Sequence, residues 1–319
     1  MRVFASVLLA ALAVMSPSLL AQWPSVKTPN VPRNADGTVN AAAPAPRTAD
    51  GKVDLSGLWE AGGGGGGGRG RRGQPPPAPP ADQPPLAAFF DIGQNLPGGT
   101  PMTPWAAALR KERLSNGAQD NPDAHCLPIG HTQFHTHPQP RKIIQTPGEI
   151  VIIYESNYGL RHIYTDGREA PPPGDQDVTP YWYGYTVGKW EGDTLVATTT
   201  HIRDGMWLDV NGTPLTDQGK IVERFRRPSY GRLEIDITIE DPKAFTKPFT
   251  VRVNQRISVD TDLIEFICNE NEKSSKHFVD IRPDSTNTGS KVAPAAPTQN
   301  APVAPTAPAT PPRPAGQQK

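Results

Sequence analysis

The chain has 319 residues, and its thirty-two basic side chains balance thirty-two acidic ones, which excludes a global field that would draw in nucleic acid or an acidic membrane. Twenty-nine of its thirty-eight prolines fall outside residues 141–268, as does the run of seven glycines from Gly62 to Gly68. That excludes one continuous packed unit and leaves a single domain-sized region between low-complexity ends.

Arg2, the apolar run from Val3 to Met15 and then Leu19-Leu20-Ala21 make a secretory signal with a cut after Ala21. Ser16-Pro17-Ser18 breaks the run, which is too short for a membrane span, and no later segment is apolar enough to cross a bilayer. No cysteine follows the run, so no lipid anchor is expected, and the mature chain is expected to be soluble and periplasmic or secreted. Residues 22–84 read as a Pro/Gly-rich linker, with a glycine run from Gly62 to Gly68, then Arg69-Gly70-Arg71-Arg72 and two proline clusters. Such residues bury too little apolar surface to offset their ordering entropy. The arginines resemble an RGG tract, but in an exported chain they are expected to be solvated linker. Only Asp54-Leu55-Ser56-Gly57-Leu58-Trp59-Glu60 stands out, as a short tethered piece. Residues 85–281 form the domain, and 282–319 a disordered Pro/Ala-rich tail.

Within the domain, residues 85–92 and 103–114 are helical candidates, the second capped by Thr103, started by Pro104 and ended at Asn116-Gly117. Trp105 and Leu109 share a face of that helix, so core packing is expected for Trp105. Strands follow at residues 141–146, 149–155, 160–165, 181–190, 194–201, 220–227, 233–240, 249–259 and 263–268. Leu233, Ile235, Ile237 and Ile239 alternate with polar residues, the period-2 pattern of a strand with one dry face. Phe249, Val251, Val253, Ile257 and Val259 repeat it, with Gln255 out of step. Gly, Asn and Asp at the intervening turns supply the positive φ of tight hairpins. Eight or nine such strands, paired in sequence, stay soluble by closing on themselves, so the fold class is all-β: an antiparallel up-and-down barrel with a short helical N-terminal extension.

Cys126 and Cys268 are expected to pair in an oxidising compartment. In a meander closed into a barrel the first and last strands become neighbours, which brings the two thiols within bridging reach. The alternative is Cys126 as a nucleophile.

Several blocks occur in a fixed order: Gln145-Thr146-Pro147-Gly148, Ile163-Tyr164-Thr165-Asp166-Gly167-Arg168, the run from Val187 to Val196, the run from Glu223 to Arg227, the run from Asp241 to Pro248, and Cys268-Asn269-Glu270-Asn271-Glu272. Together they resemble an uncharacterised family of secreted acidobacterial and proteobacterial proteins. The resemblance implies a bacterial exported protein and brings no activity with it. Separately, Gly57-Leu58-Trp59 is similar to the Gly-x-Trp that opens the first strand of lipocalin-type barrels, which implies a lipocalin-like barrel.

The densest polar constellation is Asp123, His125, His131, His135 and His137. In an extended segment His135 and His137 point to the same side, as a two-histidine chelate needs, and His131 or Asp123 adds a third ligand. The candidate cofactor is then a divalent metal such as zinc. The alternative is that these histidines satisfy local backbone groups or pack on prolines. Neither Cys-x-x-Cys nor His-Glu-x-x-His occurs. A second candidate is the barrel interior, where His201 shares a face with Thr199, Ala197 and Leu195, and Glu223 lies between Ile221 and Phe225. The competing reading pairs Glu223 with Arg224, Arg226 or Arg227 at a rim and leaves His201 at a strand end. Tyr183, Tyr185 and Trp207 either line a sugar- or lipid-binding mouth or form core and end cover. No phosphate loop, nucleotide fingerprint or serine elbow is present.

The first functional reading is therefore an exported barrel that binds a small, partly apolar molecule through Tyr183, Tyr185, His201, Trp207 and Glu223. The alternatives are a metal-dependent hydrolase built on His131, His135 and His137, with Asp123 or Glu223 moving the proton, and a cell-envelope interaction protein. The expected partner is a small molecule, with no nucleic acid and no membrane span.

Overall fold

A computed structural model describes residues 26–62, 83–172, 179–268 and 270. The signal segment, the arginine and proline tracts and the tail lie outside the described residues. Nine strands close a barrel: β1 (Gly57–Ala61), β2 (Arg141–Thr146), β3 (Glu149–Tyr154), β4 (Leu160–Tyr164), β5 (Tyr185–Glu191), β6 (Thr194–Thr200), β9 (Lys220–Ser229), β10 (Arg232–Glu240) and β11 (Phe249–Ser258). Between β6 and β9 the chain makes a separate small hairpin, β7 (Met206–Trp207) with β8 (Pro214–Leu215), turned at Gly212 with φ +81°.

The barrel strands follow one another around the wall in chain order, as in a meander. Nine is odd, however, and strands that alternate in direction around a closed ring of odd number must leave one neighbouring pair parallel. That pair is β4 and β5, which share a single register pair, Tyr164 with Val187; every other neighbour in the barrel is antiparallel. A parallel neighbour needs a crossover, which falls between Tyr164 and Tyr185, a connection whose residues 173–178 lie outside the described ones. Gly188 permits the approach: a Cβ there would lie 2.9 Å from Ile163 Cγ2. The two strands meet at this point and separate toward their N-terminal ends.

Two sequence expectations change places. Residues 263–268 form no strand; the chain leaves the barrel at Asp260, with φ +58°, and Ile264 and Ile267 are exposed. The closing strand is instead β1, the Gly57-Leu58-Trp59 segment set apart as a tethered piece, which pairs with both β11 and β2. Trp59 is fully buried there and donates from Nε1 to Leu55 O. Residues ahead of it are ordered too. Pro32-Arg33-Asn34-Ala35-Asp36-Gly37-Thr38-Val39 and Pro46-Arg47-Thr48-Ala49-Asp50-Gly51-Lys52-Val53 form the same tight turn twice, bridged Arg33 to Val39 and Arg47 to Val53. Each arginine holds its own glycine carbonyl and a barrel-loop aspartate, Asp260 or Asp193.

Helix α1 (Pro104–Ser115) has the predicted Thr103 cap, which accepts from Ala106 N at 3.2 Å. It buries Ala106 and Arg113 rather than Trp105, which is exposed beneath Lys243. Residues 85–92 form no helix: residues 85–87 run along β11, with Leu86 bridged to Arg252, and the chain then bends at Phe89 and Phe90. The Cys126–Cys268 disulfide is present, with Cα atoms 5.5 Å apart. It joins the segment ahead of the histidines to the chain beyond β11, not to a strand.

The inward faces of the strands carry Ile143, Ile150, Ile152, Ile163, Leu195, Ala197, Ile221, Phe225, Leu233, Ile235, Ile237, Ile239, Val251 and Val253, all buried. At the end where β2, β4, β5 and β9 begin, a short helix α2 (His131–Thr136) seals the barrel, every residue buried. Its end is capped by Arg141, fully buried at the first position of β2. Arg141 Nη1 donates to Phe134 O and His135 O, and Nη2 to His137 O and Gln139 O. Burial pushes this guanidinium down to about 10, still cationic at neutral pH. Arg141→Met should strip these carbonyls of their donors and lower stability by about 2–3 kcal/mol, which urea unfolding measures; an unchanged midpoint would mean that α2 is held by packing alone.

Candidate functional site

Five barrel strands each place a polar side chain inward at the α2 end: Arg161 on β4, Thr186 on β5, Thr199 on β6, Glu223 on β9 and Gln255 on β11, each exposed by 2% or less. Glu223 is their centre. Its Oε1 accepts from Arg161 Nη1 at 3.1 Å and its Oε2 from Arg161 Nη2, a two-pronged ion pair. Helix α2 adds two imidazoles from above, since residues four apart share a helix face. His135 Nε2 lies 2.8 Å from Glu223 Oε1 and His131 Nε2 3.6 Å from Oε2. Arg161 Nη2 also donates to Thr199 Oγ1 at 3.1 Å, and that hydroxyl lies 2.9 Å from Thr186 Oγ1. Gln255 Nε2 faces His135 Nδ1 at 3.4 Å. A neutral His135 that donates from Nε2 to the carboxylate leaves Nδ1 as the acceptor for that amide.

Burial is the largest single influence and would raise the Glu223 carboxyl, but Arg161, His131 and His135 together outweigh it and hold the group well below the usual carboxylate range. The same carboxylate keeps Arg161 raised against its own burial. Burial drives both histidines down, His131 well below the ordinary imidazole range, with Arg161 adding repulsion and Glu223 opposing. The cluster at neutral pH is one anion, one cation and two neutral rings.

These shifts give a signed pH dependence. Between the unfolded imidazole value of about 6.5 and the lower folded ones, the unfolded chain holds protons that the folded chain refuses, so stability rises with pH. Below about pH 6.5 each histidine should therefore remove roughly 1.4 kcal/mol per pH unit. Glu223 acts in the same direction in a later window: its contribution is full above the unfolded carboxyl value and is lost as pH falls below it. Unfolding at pH 7.5, 6.5 and 5.5 tests this. A midpoint that holds level down to pH 5.5 would contradict neutral burial of the two rings.

The cluster reaches the surface through the parallel seam. Where β4 and β5 separate, a cleft of about 240 Å³ is lined by Leu160, Arg161, His162 and Tyr164 from one strand and by the segment from Tyr181 to Thr186 on the other side. Five aromatic rings surround it, with Arg161 and Thr186 joining it to the buried layer. Gly184 turns the chain into β5 with φ +67°, and a Cβ there would lie 2.8 Å from Thr200 O, so this position needs glycine. The rings are held from behind: Arg168 stacks on Tyr164 at 3.9 Å, Arg203 on Trp182 at 4.6 Å, and Tyr183 leans on Phe134 of α2 at 5.9 Å.

Of the residues singled out from sequence, Tyr183 and Tyr185 line this cleft and Glu223 lies behind it. Glu223 pairs with Arg161 in the interior, not with Arg224, Arg226 or Arg227 at a rim. His201 leaves the inward face at the end of β6, with φ +54° and its ring against Thr200 Oγ1 and Pro172 O. Trp207 is buried beneath Arg113, part of the cover over α2 rather than of the cleft. The proposed metal set does not converge. Residues 131–136 are helical, so His131 pairs with His135 and not His135 with His137. His137 faces the Phe89 ring at 5.3 Å, and Asp123 accepts from Asn157 Nδ2 at 2.8 Å. Among the described residues no three His, Cys, Asp or Glu side chains are arranged to hold a metal ion.

Sequence reasoning missed Arg161 and Arg141, and saw Gln255 only as an irregularity. The usable signal was polar interruption of inward faces: Gln255 follows Val251 and Val253, Glu223 separates Ile221 from Phe225, and Arg161 precedes Ile163 in phase.

No family model, no curated protein and no solved structure matches the chain.

Proposed function

We propose that this protein is an exported barrel that binds one small, partly apolar molecule in the cleft between β4 and β5. The parallel seam carries the reading. It opens a closed wall at one place, and that place gathers five aromatic side chains around a polar floor. Ligand pockets in barrels combine apolar walls with a few fixed polar groups, and Arg161, pinned by Glu223 and Thr199, is such a group. The volume sets the size: an apolar cavity of about 150 Å³ accepts one benzene ring, so about 240 Å³ suits one substituted ring. Export rests on the N-terminal apolar segment and the disulfide, and mature protein beginning at Gln22, read by intact mass, is the expected form.

Titration with benzyl alcohol, a single-ring probe, followed by calorimetry or intrinsic fluorescence, tests the binding claim. Saturable one-to-one binding, weakened at least tenfold by Tyr185→Ala with the fold intact by circular dichroism, is the expected outcome. Absence of saturation, or binding indifferent to Tyr185, would refute the cleft as the site.

A further inference from the structure

We infer that the occupant of the seam cleft is a neutral, hydroxyl-bearing six-membered ring, a single sugar unit; this rests on the cleft being the binding site. Three observations converge on it.

The first is charge. Among the residues that line the cleft, the guanidinium of Arg161 already has Glu223 as its counter-ion, and His162 Nδ1 lies 2.6 Å from Glu149 Oε1. Arg168, stacked behind Tyr164, holds Asp166 at 2.6 Å. A carboxylate or ammonium ligand would have to displace one of these pairs or enter a low-dielectric site unmatched. A neutral molecule meets no such penalty.

The second is the kind of wall. Four of the five rings are tyrosines: Tyr164, Tyr181, Tyr183 and Tyr185. A phenol presents a flat apolar face and, at its edge, a hydroxyl that both donates and accepts. A sugar ring has the matching surface, C–H groups on its faces and hydroxyls around its rim. A hydrocarbon ring would use the faces and make no use of the hydroxyls.

The third is the floor. Arg161 is 1% exposed; its Nη atoms are bonded to Glu223 and Thr199, and the Tyr154 hydroxyl stands against the guanidinium. Its charge is already neutralised, so the complement of this floor is an uncharged oxygen rather than an anion. The volume then limits the ligand to one ring and excludes a long acyl chain.

The test is a binding panel on the full-length mature protein with glucose, N-acetylglucosamine, glucuronate, glucosamine, benzyl alcohol and cellotriose. At least one neutral monosaccharide should bind saturably, and tenfold or more tighter than its charged counterpart. Tyr181→Phe and Tyr185→Phe, which keep the ring and remove the hydroxyl, should weaken the sugar about tenfold and weaken benzyl alcohol, with its single hydroxyl, by much less. Cellotriose bound no more tightly than glucose would assign a free or terminal sugar, and a large gain would assign a chain lying across the cleft. Benzyl alcohol binding without any neutral sugar would overturn the sugar assignment while the cleft remains the site. Failure of every compound would overturn both.

Discussion

Replacing Glu223 by alanine is expected to destabilise the fold by about 3–5 kcal/mol, the range for breaking a buried ion pair from one side. Glu223 and Arg161 are both almost fully removed from solvent, and the carboxylate takes both arms of the guanidinium. Without it, a buried cation stands uncompensated beside two imidazoles already driven toward neutrality. His135 also loses the acceptor that fixes its orientation on α2. Glu223→Gln keeps the shape and some hydrogen bonds but not the charge, and should lose less. The double change Glu223→Leu with Arg161→Met removes both charges and should recover much of the loss, because well-packed apolar residues often replace a buried ion pair at little expense. Urea unfolding of the three variants distinguishes these outcomes. A loss below about 1 kcal/mol for Glu223→Ala would show that solvent reaches the pair.

Loss of the disulfide should be the next largest effect, and should spare the barrel. Cys126 and Cys268 are 142 residues apart in sequence. Chain entropy assigns a loop of that length about 5 kcal/mol, of which roughly 2–4 kcal/mol is usually realised. The bridge ties the short helix Pro122–His125, just ahead of α2, to the segment beyond β11, which Glu155 Oε2 also holds through Ile264 N at 3.0 Å. Barrel closure runs through β1 and does not involve either cysteine. A Cys126→Ser, Cys268→Ser double variant should therefore unfold at lower denaturant while its far-ultraviolet circular dichroism stays that of the parent. Loss of strand signal in that variant would show that the bridge, rather than β1, secures closure.

What was legible in the sequence follows from which forces act locally. Period-2 alternation is imposed by a wall with one dry face, so β2, β3, β6, β9, β10 and β11 could be read from their residues. β1 was signalled only by the likeness of Gly57-Leu58-Trp59 to the opening of a lipocalin-type first strand, because five residues separated from the next strand by about eighty carry no register of their own; β11 and β2 supply it. Residues 263–268 show the converse, an alternating pattern with no partner strand. Helix α2 was hidden for another reason. Its six residues have little intrinsic helix preference, and its end is satisfied by Arg141 from a neighbouring strand. The extended reading of His131 to His137 therefore aimed the wrong pair of histidines at each other. The seam was out of reach because a count of eight or nine strands leaves parity open, and parity decides whether a parallel neighbour exists. The cysteine pairing was right although the closing strand inferred from it was not.

The most direct test is a backbone amide nuclear magnetic resonance titration of the folded protein with glucose or benzyl alcohol. Shifts that saturate together at residues 160–164 and 181–186, with Arg161 and Thr186 among them, are the predicted result. Shifts confined instead to the opposite end of the barrel, where Tyr230, Arg227 and Asp262 line a separate groove, or no saturating shift at all, would contradict a binding site at the β4–β5 seam.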